Sequence, residues 1–396
     1  MHRKPLILAL AAVAVWFSWQ ALTVRVNYGG NWTALFCTRG GLPVPQFLKS
    51  ENLYRFHGTE GYDGQIFHLI AHDPWMTKGS YQAISGAAFR YQRILVPALA
   101  WTLALGDDRR VHAAYFAVIL GFLFLGVYWT ARFAASLGLA PAWGLIFAVT
   151  PAAIASIDRM VADVALAALT AGFALYAAKG RWPVFVILAC AALTRETALP
   201  IIGGYTLFLM AQKRWRGALL AAASVLPMIA WYFHVSHGRS STVIRYVGWI
   251  PLAGFFERIV HPAVYELGGW HNTAGQVFDY LALAGVGLAL IFTVRFAVRR
   301  EWSELAAALY GCFAAVLVLK SRDVWEDAYA FGRVLTPFML LAMLVGIAHQ
   351  TRRRPWLAAL PLLMVSARLT LNLTGQFLGI VHSLGLSAAL LPALLK

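Results

Sequence analysis

The stretch Gly61-Tyr62-Asp63-Gly64-Gln65-Ile66-Phe67-His68-Leu69-Ile70-Ala71-His72-Asp73-Pro74-Trp75 separates a first long apolar run from a remainder made almost wholly of apolar segments. Asp63 stands where a helix over 64–72 begins, so its carboxylate is placed to cap that helix by accepting backbone N–H groups. Capping does not exclude chemistry. His68 and His72 are four residues apart and share one face of such a helix. With Asp63 or Asp73 as a third ligand they offer metal-binding atoms, but the HExxH spacing is absent. Two helix histidines at a wet interface are the expectation. A divalent cation, Mg or Mn, held partly by Asp63 and partly by a substrate phosphate suits Asp63 better, because Mg²⁺ typically uses one or two protein carboxylates.

Outward from that stretch, composition sets the class. Of 396 residues, 60% are hydrophobic and 13% charged, against about 25% charged in ordinary soluble domains. An all-α polytopic membrane protein with a single membrane domain over 1–396 follows. The formal charge of +16 does not indicate nucleic acid. Most Lys and Arg punctuate apolar segments, as cytoplasmic loops do. Three cysteines give no disulfide framework, and Cys37 is alone in a polar loop. The N-terminal run after Arg3 and Lys4 reads as an uncleaved first span rather than a signal peptide, since Ala12-Val13-Ala14 lies mid-run.

Apolar runs separated by polar breaks predict eleven or twelve spans. They cover 6–24, 111–135, 143–157, 161–178, 184–193, 199–210, 218–233, 277–294, 305–319, 334–347 and 356–371, with 377–391 a twelfth span or a re-entrant hairpin. A large first outer loop, 25–110, carries interfacial helices, with 94–105 apolar but too short to cross. A second long outer loop covers 234–276; it holds Arg239, Arg245, Arg258, Glu257 and Glu266 among dense aromatics such as Tyr246 and Trp270.

With the N-terminus cytoplasmic, Lys179 and Arg181, then Lys213, Arg214 and Arg216, then Arg295, Arg299 and Arg300, then Arg352, Arg353 and Arg354 fall in short inner loops. The opposite ends hold Asp63, Asp158, Asp163, Arg195, Glu196, Asp323, Glu326 and Asp327. Carboxylates and mixed charges thus collect on the outer side. Ionisable residues at that depth are costly unless paired or wet.

A second basic set breaks the inside rule. Arg90 and Arg93 lie at the mouth of the interfacial helix, Arg195 in an outer turn, and Lys320, Arg322 and Arg333 before the tenth span, which Arg333 opens. Guanidinium forks suit phosphate oxygens, and this level is where a lipid headgroup lies. Snorkelling or pairing with carboxylates accounts for the same residues.

The first span, the large outer loop with an early Asp, the interfacial helix and the many later spans resemble the GT-C superfamily of membrane glycosyltransferases. Tyr62-Asp63-Gly64-Gln65 with Ile70-Ala71-His72-Asp73-Pro74 is similar to the first-loop signature of bacterial members. Arg90-Tyr91-Gln92-Arg93-Ile94-Leu95, Thr194-Arg195-Glu196-Thr197 and Gly332-Arg333-Val334-Leu335-Thr336-Pro337 resemble further, looser features. The resemblance implies a bacterial inner-membrane enzyme that takes a sugar from a polyprenyl-phosphate donor at the membrane. It passes that sugar to a glycan, lipid or protein acceptor on the periplasmic face. It puts Asp63 at the first-loop acidic position, as general base or metal and acceptor binder. Many relatives carry two adjacent acidic residues there; here the neighbour is Tyr62.

The chemistry asks for the same groups. Inverting transfer needs one carboxylate to take the acceptor proton and positive charge on the departing phosphate. Asp63 is the expected base and Arg90, Arg93, Arg195 and Arg333 the expected phosphate ligands, with Tyr62, Gln65, His72, Asp73, Asp163 and Glu196 as candidate substrate contacts. The alternative is a multi-span transporter or lipid flippase for envelope precursors. It calls for an internal repeat with broken helices at mid-membrane, whereas the charges here cluster at one face.

Overall fold

Long apolar runs interrupted by Gly, Pro and basic pairs fold as helices that pack side by side. The structure is a computed structural model describing residues 3–49, 51–236, 248–265, 269–319, 322–349 and 355–383, the side chains of 269–271, 322 and 323 excepted. Arg239, Arg245, Tyr246, Glu266, Lys320, Arg352, Arg353, Arg354 and residues 384–391 lie outside the described residues, as do the side chains of Trp270, Arg322 and Asp323.

α1 (Arg3–Asn27) is followed by a long connecting segment with α2 (Asp63–His72), α3 (Ser80–Ala83), α4 (Ala87–Tyr91) and α5 (Leu95–Leu103). α6 (Asp108–Ser136) leads to α7 (Leu145–Ala148), α8 (Pro151–Arg159), α9 (Asp163–Ala177), α10 (Pro183–Thr194) and α11 (Leu199–Ala211). Then come α12 (Trp215–Ala223), α13 (Leu226–Ser236), α14 (Ala253–Val260), α15 (Gly269–Val298), α16 (Glu304–Val318) and α17 (Arg322–Trp325). α18 (Ala328–His349), α19 (Leu360–Thr370) and α20 (Thr374–Ser383) end the described chain. Among the described residues the strands are a two-residue parallel pair, β1 (Thr38–Arg39) on β2 (Arg55–Phe56), which closes the loop between them.

Six helical runs are long and apolar enough to cross a membrane, and a seventh if α7 and α8 with their approach, bent by 48°, form one span. This is a multi-pass architecture. The expected count of eleven or twelve rests on also counting four shorter apolar helices, α9, α10, α11 with its preceding turn, and α16. Helices packed inside protein need not match the bilayer thickness themselves. At the C-terminal side the expected break between 356–371 and 377–391 is absent: residues 355–383 make one apolar helical run.

α18 is the central stave. It is apolar on every face and almost wholly buried, as a helix surrounded by neighbours should be. α8, α9, α15, α16 and α19 pack around it. It begins six residues earlier than its apolar run suggests, so Arg333 lies inside the helix rather than opening it. Thr336 on α18 accepts from the free N–H of Ala152 (3.1 Å) at the start of α8. α8 is thereby fixed against α18, and its last residue, Arg159, reaches Cys37 in the segment between α1 and α2.

Candidate active site

The start of α2 is set by close packing. Gly61 takes a left-handed φ of +71°, and the following Tyr62 N–H donates to the Cys37 carbonyl (3.1 Å). At Gly64 a Cβ would overlap the Arg159 carbonyl oxygen, so only glycine lets α2 approach the end of α8 this closely. Tyr62 is the N-cap and makes no side-chain cap bond; Asp63 is the first helical residue. The expected capping role for Asp63 therefore does not occur. Its carboxylate turns away from its own backbone to two arginines.

Asp63 Oδ1 accepts from Arg90 Nη1 at 2.7 Å, and Oδ2 from Arg333 Nη2 at 2.6 Å. Arg333 reaches Asp163 with its other terminal nitrogen (3.3 Å), and Asp163 Oδ1 pairs with Arg195. Arg195 Nε lies 3.8 Å from Glu196, which takes a bidentate pair from Arg93 at 3.1 and 2.7 Å. Arg195 and Glu196, neighbours in sequence, thus find different main partners. The charges form one alternating chain, Arg90–Asp63–Arg333–Asp163–Arg195–Glu196–Arg93, with one more guanidinium than carboxylates. Two ring faces finish it: the Arg333 guanidinium lies over Tyr62 (4.8 Å) and that of Arg93 over Phe89 (4.5 Å).

This chain walls a cavity of about 510 Å³ lined by Asp63 and all four arginines, with Tyr62, Gln65, Phe89, Glu326 and Asp327. No protein-family model, curated protein or solved structure matches this chain.

The arginines are not equivalent. Arg333 and Arg195 are more than nine-tenths buried, and the Nε–H of each is itself buried without a hydrogen-bond partner. Arg90 is about a third exposed and makes a single contact, so it is the freest of the set. Burial by itself would raise the Asp63 carboxyl, but Arg333 and then Arg90 outweigh it and hold the group well below the usual carboxylate range. Clamped in this way Asp63 is a poor base, and a cation there would share its carboxylate with Arg90 and Arg333.

Of the remaining candidates, Gln65 lines the cavity, but its amide already holds the Arg39 N–H (3.0 Å) and the Glu60 carbonyl (3.2 Å). Asp163 and Glu196 act through the arginines they position. His72 and Asp73 lie away from the cavity at the far end of α2. Asp73 accepts from the backbone N–H groups of Thr77, Lys78 and Ser80, at 2.6, 2.9 and 3.2 Å, and so shapes the next turn. The histidines are not at a wet interface: both are buried.

Asp158 is more than a loop partner of Arg159. It is buried and also accepts from Tyr329 (2.8 Å) and Gln376 (2.7 Å), tying α8 to α18 and α20. Cys37 is likewise buried and receives Arg159 Nη1 at 2.7 Å. A second buried pair, Arg368 with Asp279 (2.6 Å) and Tyr265 (2.9 Å), joins α19 to α15 outside the cavity. Sequence patterning missed it, although an Asp and an Arg inside apolar runs were its visible signal.

Proposed function

We propose that the cavity is the donor-phosphate and acceptor site of an integral-membrane glycosyltransferase of GT-C type. It takes a sugar from a polyprenyl-phosphate donor, and the reading places it in a bacterial inner membrane with its N-terminus cytoplasmic and the cavity periplasmic. The observation that carries this is the alternating charge chain, whose freest arginine is bound to the proposed base. A lipid-linked phosphate entering the cavity competes with Asp63 for Arg90, beside the other three arginines of the lining. As Arg90 moves to the phosphate, Asp63 loses one of the three charges that hold its proton affinity down, the other two being Arg333 and Arg93. Base strength then appears only when donor is bound.

The transfer balances with these groups alone. The acceptor hydroxyl oxygen attacks the anomeric carbon while its proton passes to Asp63. The anomeric C–O bond breaks with its electron pair going to the phosphate oxygen, where the arginine set stabilises the charge. A single carboxylate suits inversion. Charge gathered at one end of the bundle, rather than paired across its middle, favours this reading over a transporter or flippase.

The test is release of polyprenyl phosphate from a sugar-linked lipid by purified parent, Asp63→Asn and Arg90→Ala proteins. Turnover should fall by roughly 10²-fold or more in each, the scale of losing one charge-stabilising group. Equal turnover in Asp63→Asn sinks the base role; an unaltered response to donor concentration in Arg90→Ala sinks the phosphate role.

A further inference from the structure

We propose that Glu51, His68 and His72 bind one divalent transition-metal ion of the zinc class, tying the loop closed by β1 and β2 onto α2. The histidines lie one helical turn apart on the face of α2 that this loop covers. Their Nε2 atoms approach to 3.1 Å, and Glu51 Oε1 lies 3.8 Å from His72 Nε2. One ligand atom from each of the three residues falls within a 4.8 Å span. Metal–ligand bonds of 2.0–2.1 Å at tetrahedral angles require ligand atoms about 3.3 Å apart. The observed separations bracket that value, so small side-chain adjustments bring all three onto one ion.

Three independent features point to a ligand there. Both Glu51 carboxylate oxygens are buried without a hydrogen-bond partner, an arrangement that is costly unless something positive arrives. His72 Nδ1 lies 3.0 Å from Asp108 Oδ1, which leaves Nε2 as the lone-pair nitrogen and matches the carboxylate–histidine–metal relay that orients ligands elsewhere. The rings are already held: His68 stacks on Phe36 with centroids 4.0 Å apart, and His72 meets it edge-on at 4.7 Å. Lys78, the nearby cation, is engaged by Asp108 at 2.9 Å.

The ligand set, two nitrogens and one carboxylate, is borderline rather than hard, so zinc is favoured over magnesium. The site lies along α2 from Asp63, not on the arginine cavity. Its role is to fix the helix that presents Asp63.

The experiment uses the full chain with a histidine-free affinity tag, purified in detergent. Metal analysis of the protein as purified should find about one zinc per chain. After chelation, Co²⁺ should bind one equivalent with the visible spectrum of a four-coordinate ion and be displaced by Zn²⁺ but not by Mg²⁺. Zinc should raise the parent's Tm and leave that of Glu51→Gln unmoved, with Co²⁺ affinity in that variant reduced at least ~10-fold; Asp108→Asn should lose roughly 10–100-fold. Asp63→Asn should bind as the parent does, which separates this site from the proposed transfer. Substoichiometric metal in both the purified and the reloaded parent overturns the proposal, as does equal Co²⁺ binding by parent and Glu51→Gln.

Discussion

The two ends of the helix bundle use cationic side chains in opposite ways. α9, α10 and α11 each join them, over about 18–22 Å at 1.5 Å per residue. At one end Arg90, Arg93, Arg195 and Arg333 interleave with Asp63, Asp163 and Glu196, and most of these groups are buried. At the other, Arg181, Lys213, Arg214 and Arg216 line an open cavity and are exposed. Arg214 there meets a carboxylate, Glu304, at 3.8 Å while half exposed. Each end has four cations; three carboxylates interleave with the first set and one reaches the second. Paired guanidiniums can be buried and aimed, whereas exposed ones do no more than bias topology.

Arg333→Ala should strike this contrast hardest. It leaves Asp63 and Asp163 short of a buried partner, and breaking such a pair costs about 3–5 kcal/mol. Denaturant or thermal unfolding in detergent reads the loss; a variant as stable as the parent would mean that the charge chain is incidental.

Acid probes the same end by another route. A carboxyl held below its ordinary range adds stability that is complete above about pH 4 and fades as pH falls through the folded-state value. Parent stability should therefore not fall on this account between about pH 8 and 5, and Asp63→Asn should lose less than the parent on going to lower pH. A greater acid loss in the variant would contradict the clamp.

Gly64→Ala tests the packing beneath the site. Its Cβ meets backbone, which cannot swing aside, so about 1–3 kcal/mol should be lost and Asp63 displaced. Turnover should drop with the position of the carboxylate rather than its identity. Retained stability and turnover would show that α2 has room to move.

Arg90→Ala is the graded case. The pair is partly exposed, so stability should change by about 1 kcal/mol or less, while donor use falls. At the far end Arg216→Gln should sit within about 0.5 kcal/mol of the parent and leave turnover intact. An effect there as large as at Arg90 would erase the distinction between the ends.

Legibility followed the same divide. Asp63, Tyr62, Gln65 and the four arginines were visible as polar residues at the breaks between apolar runs, and the structure brings them to one cavity. His72 and Asp73 belonged to the same motif but point to other work, because a helix of ten residues carries its two ends to different places. Glu51 drew no attention: it sits in an irregular loop, and its value comes from lying against histidines 17 and 21 positions later.

The amino-acid sequence by itself determines that this is a helical, multi-pass chain and which residues occupy each turn. Apolar run length and loop charge depend only on neighbours along the chain. Which guanidinium meets which carboxylate was decided by tertiary structure. Arg333 and Asp63 are 270 positions apart. Helices apolar on every face carry no stripe to announce how they rotate against one another. That rotation, fixed by packing around α18 and by the bare backbone at Gly64, brings the charged residues of α2, α4, α9 and α18 together with the turns after α4 and α10 as one alternating chain.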